Sequence, residues 1–180
     1  MISAKHLGAF RSTGVLALLA VLTLASSSCR KRATPSTDWP AGMKATTAHD
    51  SEDLVRSAKG SVVLYMLYAS WCSGCRAELP GIDRLLLKYK AQGLQLVALS
   101  LDDDPKDFDE LLADQTLHFD LIRVAPVNNG ELAIAIHDLG GNFVQAIPYA
   151  AVFNRSGKLV RDWPSGSLLG DIEKEIKASL

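Results

Sequence analysis

Trp71-Cys72-Ser73-Gly74-Cys75 sets two thiols apart by two residues. They follow the apolar run Val62-Val63-Leu64-Tyr65-Met66-Leu67-Tyr68 and precede Arg76-Ala77-Glu78-Leu79, which reads as the start of a helix. A thiol at a helix N-terminus faces unpaired backbone N–H groups and the positive end of the macrodipole, and both favour an anion. The thiolate is the nucleophile, so Cys72 is placed to attack a disulfide. Cys75 lies about one helical turn further on, on the same face, and is placed to resolve a mixed disulfide. The pair therefore points to reversible thiol–disulfide exchange, with the Cys72–Cys75 bond as the redox centre and no separate cofactor. Two blander uses compete. A lone CxxC lacks the second pair that a four-cysteine zinc site needs. An oxidising compartment would allow an inert bridge, but a helix start activates the first sulfur and argues against that use.

The elements around the pair must position it. Asp50 to Lys59 reads as a short helix closed by Gly60, and Ser61 to Tyr68 as a strand buried on both faces. Cys72 to Ala91 reads as a helix ended by Gly93, with Leu85, Leu86 and Tyr89 at core spacing, and Pro80 kinking it. Leu94 to Leu101 is a second buried strand. Asp102-Asp103-Asp104 is a loop that reads as solvated, and Pro105 suits the first turn of a helix reaching Gln115. Phe119–Val124 and Glu131–Leu139 predict an additional strand and helix. Tyr149–Asn154 and Lys158–Trp163 predict a hairpin, followed by a last helix capped by Ser167. Alternating helices and strands with a terminal antiparallel hairpin give a three-layer α/β domain with a mixed central sheet flanked by helices.

The flanks say where such a domain would work. Lys5 and Arg11 precede the apolar stretch from Gly14 to Ala25, then come Ser26-Ser27-Ser28 and Cys29. This is the layout of a secretory signal over residues 1–28. The apolar stretch is short of the about 20 residues that span a bilayer, so an uncleaved anchor is the weaker alternative. Residues 29–47 are polar and turn-rich and read as a tether, and residues 48–180 as the domain. A net charge of −1 gives no sign of a nucleic-acid surface. His49, His118 and His137 are scattered without metal-ligand spacing, and no metal is expected.

Taken together, Trp71, Cys72, Cys75, Arg76, Glu78 and Pro80, with Ile147-Pro148 before a strand and Gly157 in the hairpin, resemble the thioredoxin superfamily. More specifically, they resemble the membrane-tethered TlpA/ResA-like thiol–disulfide oxidoreductases. The resemblance covers roughly residues 44–180 and implies a thioredoxin fold with an extra βα insertion, about 117–139, before the cis-proline strand. It implies a cis Ile147–Pro148 bond that presents the Ile147 backbone to an extended substrate. It implies that Glu78 sits near the sulfurs and modulates their protonation, the more so because the acid that ordinary thioredoxins bury six residues before the first cysteine is Met66 here. Trp71 would shield Cys72 and, with Ile147, Pro148 and Tyr149, line the substrate groove. Tyr149-Ala150 replaces the family's common Thr-Thr, which bears on substrate preference. The segment ending in Cys29 resembles a bacterial lipoprotein signal, implying lipidation of Cys29.

These expectations make the chain an exported, lipid-anchored thiol–disulfide oxidoreductase on the periplasmic side of the cell envelope. Its substrates would be exported cysteine-containing proteins, apocytochrome c among them. A membrane thiol reductant would recharge it, and it would act as a monomer. Ile147 before the proline favours reduction over oxidation. The alternative is a thioredoxin-fold copper chaperone holding Cu(I) through the same cysteines, for which the three-residue spacing and distal His are not evident. A thiol peroxidase would need a Thr before the nucleophile that Ala69-Ser70-Trp71 does not supply.

Overall fold

A computed structural model describes residues 38–166 and 169–180 of the chain. The signal region, Cys29 and Ser167 lie outside the described residues. Six strands form one sheet: β1 (Lys44–Thr46), β2 (Val62–Tyr68), β3 (Leu94–Ser100), β4 (Ile122–Val124), β5 (Tyr149–Phe153) and β6 (Leu159–Trp163), in the order β1-β4-β3-β2-β5-β6. β1, β4, β3 and β2 run parallel to one another, β5 pairs antiparallel with β2, and β6 antiparallel with β5. The α-helices among the described residues are α1 (Ser51–Ser57), α2 (Ser73–Tyr89), α3 (Pro105–Asp114), α4 (Asn129–Asp138) and α5 (Leu169–Ser179).

β2 is the keystone because every one of its residues is buried. A strand alternates its side chains between faces, and β2 splits accordingly. Val62, Leu64, Met66 and Tyr68 join Leu79 and Ile82 of α2, Phe108 of α3 and Ile172 of α5 on one face. Val63, Tyr65 and Leu67 join Val55 of α1 and Leu132 and Ile136 of α4 on the other. This is the expected three-layer arrangement, with β4 and α4 as the additional βα unit. Gly81 lets α5 approach α2: a Cβ there would run into the Leu169 side chain.

The structure moves one boundary. β1 pairs with β4 at Lys44–Ile122, Ala45–Arg123 and Thr46–Val124, so the sheet begins inside the stretch that composition marks as tether. Three residues are too few to show a period, and β1 is an edge strand whose residues are exposed or half-buried. Trp39 docks ahead of it, edge-on to Phe108 at 6.5 Å, with the Arg123 guanidinium over its ring at 4.4 Å.

Candidate functional site

β2 ends at Tyr68 and the chain turns at once, with the Cys72 N–H donating to the Ala69 carbonyl at 3.2 Å. Ser70 and Trp71 are thus the central residues of a β-turn that delivers Cys72 to the head of α2. Cys72 is the N-cap of α2, in an extended conformation, and its Sγ accepts the Cys75 backbone N–H at 3.1 Å. A sulfur replaces the oxygen that usually caps a helix. This is the environment that stabilises a thiolate.

The two cysteines form a disulfide with 5.2 Å between their Cα atoms. They differ in access: Cys72 is half-buried, whereas Cys75 is 0% exposed beneath the helix. Trp71, the residue before Cys72, is 59% exposed.

The second wall is the loop entering β5. The Ile147–Pro148 peptide is cis, and the Ile147 carbonyl oxygen stands 3.9 Å from Cys72 Sγ. Gly74 faces the proline: a Cβ there would meet Pro148 Cδ at 3.6 Å. The Pro148 carbonyl accepts the Gly166 N–H at 2.9 Å. Glu78 stands against that glycine, in the segment after β6, its Oε1 3.7 Å from where a Gly166 Cβ would be. Thus Trp71, Cys72, Cys75, Ile147, Pro148 and Glu78 gather at one end of the sheet.

Tyr149 departs from the expectation. It is 0% exposed, packed against Tyr65 and Phe143, and its hydroxyl donates to Asp162 at 3.3 Å. Burial and the Asp162 carboxylate both push its phenol pKa upward. The side chain belongs to the core on the far face and lines no groove. Its register explains this: Tyr149 pairs with Leu67, whose side chain points the same way.

Two acids were hidden in the sequence. Asp102, in a run that looks solvated, is 0% exposed and accepts hydrogen bonds from Ser70 and Ser100, while Asp103 is exposed and Asp104 caps α3. The only sequence hint is its position directly after a buried strand. Asp83 of α2 is buried and holds both the backbone N–H and Nδ1 of His118 at 2.7 Å. Among the described residues no group of three His, Cys, Asp or Glu gathers as a metal site, and no helix is long and apolar enough to cross a membrane.

A CxxC disulfide at the head of a helix, next to a cis-proline loop on a mixed sheet, defines a thioredoxin-fold domain with a dithiol–disulfide centre. The chain belongs to the AhpC/TSA family, whose model matches residues 40–161. It is similar to thiol-disulfide oxidoreductase ResA of Oceanobacillus iheyensis, 37% identical over 76 residues, covering 41% of this chain and 37% of that protein. ResA of Bacillus thuringiensis is 23% identical over 121 residues, covering 67% and 62%. The matches thus span about a third to three-fifths of these relatives' length. Among solved structures, one assigned as thiol:disulfide interchange protein DsbE from Chlorobium tepidum superposes with a TM-score of 0.56 at 27% identity, over 69% of this chain and 84% of that one.

Proposed function

We propose that the chain is a thiol–disulfide oxidoreductase that reduces disulfides of exported proteins. The observation that supports this most directly is the asymmetry of the pair: Cys72 half-exposed with an N–H on its sulfur, Cys75 buried behind it. In the reduced protein the Cys72 thiolate attacks a substrate disulfide, forming a mixed disulfide and releasing one substrate thiolate. Cys75, deprotonated, then attacks Cys72 Sγ, expelling the second substrate thiolate and leaving the Cys72–Cys75 disulfide. The substrate gains two electrons and two protons, and the protein loses both. The Ile147 carbonyl and the exposed face of Trp71 receive the extended chain around the substrate cysteine. Glu78 tunes the protonation of the pair.

A membrane thiol reductant restores the dithiol, and the substrates are exported cysteine-containing proteins such as apocytochrome c. Export through residues 1–28 and acylation of Cys29 place the domain at the periplasmic face of the membrane. The deciding experiment is trapping. Cys75→Ser should accumulate mixed disulfides through Cys72, and Cys72→Ser should accumulate none. Equal trapping in Cys72→Ser would reverse the roles. Mass spectrometry of the mature N-terminus checks the anchor, which requires acyl groups on residue 29.

A further inference from the structure

Ser70 is the first central residue of the turn that delivers Cys72, and it is 1% exposed. All of its polar groups are engaged. Its N–H lies 3.0 and 3.1 Å from the two Asp102 carboxylate oxygens, and its hydroxyl donates to Asp102 Oδ1 at 2.6 Å. Its carbonyl accepts from Arg76 Nη1 at 3.4 Å. Asp102 also accepts the Ser100 hydroxyl at 2.5 Å, and its own N–H returns to Ser100 Oγ at 3.0 Å. The residues leaving β3 therefore grip the residue leaving β2, and the first turn of α2 grips its other side. Arg76 is itself anchored by an ion pair to Asp114.

A turn by itself does not need this. A neutral acceptor would satisfy one N–H, whereas a buried carboxylate is costly unless fully hydrogen-bonded. Burial pushes the Asp102 carboxyl above its ordinary value and Asp107 adds to that, while the Ser100 and Ser70 bonds pull it down. Tyr68, the last residue of β2, feels the same carboxylate. The bonds converge on one residue, and two positions later stands the sulfur that accepts the Cys75 N–H at 3.1 Å. Such a bond weakens steeply with misalignment.

We propose that Ser70 and Asp102 form a clamp that positions the dithiol, fixing the β2–α2 turn so that the Cys75 N–H stays on Cys72 Sγ and favours its thiolate. Neither residue takes part in the chemistry. Ser70 and Asp102 act through the turn, and the significance of the clamp rests on the oxidoreductase function proposed above.

The test uses variants that separate positioning from fold stability. Ser70→Ala removes the hydroxyl bond and keeps the Asp102 charge. Ser70→Thr retains the bond. Ser100→Ala removes both bonds between Ser100 and Asp102 without touching the turn. Two readouts are taken on the full chain: the pH profile of Cys72 alkylation in the reduced protein, read by mass spectrometry, and the glutathione equilibrium of the Cys72–Cys75 pair. Ser70→Ala should raise the apparent Cys72 pKa and shift the equilibrium toward the disulfide by about fivefold, the scale of one net hydrogen bond. Ser70→Thr should restore both, and Ser100→Ala should lower the thermal midpoint while leaving both in place. The clamp is overturned if Ser70→Ala loses thermal stability as Ser100→Ala does but superimposes on wild type in both readouts. The alkylation profile needs no substrate, so it judges the clamp separately. A wild-type pair that never equilibrates with glutathione would instead count against the oxidoreductase function.

Discussion

Gln115 Nε2 donates to the Arg76 carbonyl oxygen at 2.9 Å. Pro80 lies inside α2, and a proline cannot supply the N–H that the carbonyl four residues back would accept. That carbonyl belongs to Arg76, in the first turn after the CxxC pair. Gln115, the residue that closes α3, provides the missing donor. Its neighbour Asp114 pairs with the Arg76 side chain. The end of α3 thus braces the active-site turn of α2 through both backbone and side chain.

Gln115→Leu should therefore lower stability by about 1–3 kcal/mol, the cost of an orphaned partly buried acceptor. In a Pro80→Ala background the new N–H can take the Arg76 carbonyl, and the cost should shrink. Urea unfolding of the four proteins measures the coupling. An equal cost in both backgrounds would show that the bond does not stand in for the proline's lost donor.

Tyr149→Phe should cost about 1 kcal/mol, one net hydrogen bond, because Asp162 keeps its bond from the Asn142 N–H at 2.7 Å. The rate of substrate disulfide reduction should stay at the wild-type value, since the phenol sits on the face of the sheet opposite Met66 and Cys75. A raised KM with unchanged stability would return Tyr149 to the substrate groove.

What was legible in the sequence follows from what spacing encodes. Cys72 and Cys75 announce themselves by type and interval, Pro148 by the resemblance that these cysteines and their neighbours carry, and β2 by an unbroken apolar run. The extra βα unit showed as a second run of strand and helix signals near Ile122 and Leu132. The face that Tyr149 takes is not legible in the sequence, because a strand's faces are fixed only by register, and register comes from its partner, here Leu67. Asp102 escapes the sequence because three consecutive acids look alike, although one is drawn inward by Ser100 at the end of β3 and Ser70 in the turn after β2. β1 is silent in the sequence because an edge strand of three residues leaves no periodic trace.

Glu78→Gln should lower the apparent pKa values of the thiols. Glu78 is one turn beyond Cys75, and its carboxylate stands against Gly166, whose N–H is held by the Pro148 carbonyl. A nearby negative charge disfavours thiolates, so removing it helps them form. One pKa unit corresponds to about 1.4 kcal/mol, so even a screened interaction is measurable. The step that moves a proton at Cys75 should slow. Superimposable titrations and pH–rate profiles for the two proteins would leave Glu78 a role in packing the loop alone.

The buried clamp should also leave a signature in the pH dependence of stability. Desolvation raises the Asp102 carboxyl above the ordinary 3.8, against the pull of its serine donors. Between the ordinary and the raised value, native Asp102 keeps a proton that the unfolded chain has released. The native state then binds more protons, so the stability this group contributes is fully present below the ordinary value and falls as pH rises through the raised one. Glu173 has the opposite sign. Hydrogen bonds from Lys88 and Tyr89, with Lys177 assisting, lower it to about 2, so its contribution is lost only in stronger acid. Thermal midpoints of wild type and Asp102→Asn, measured across pH and subtracted, cancel Glu173 and every other shared group. The difference should move against wild type as the pH rises from about 4 toward neutrality. Parallel curves over that interval would mean that the Ser70 and Ser100 donors fully offset the burial of the charge, and that the clamp holds its carboxylate at no cost in fold stability.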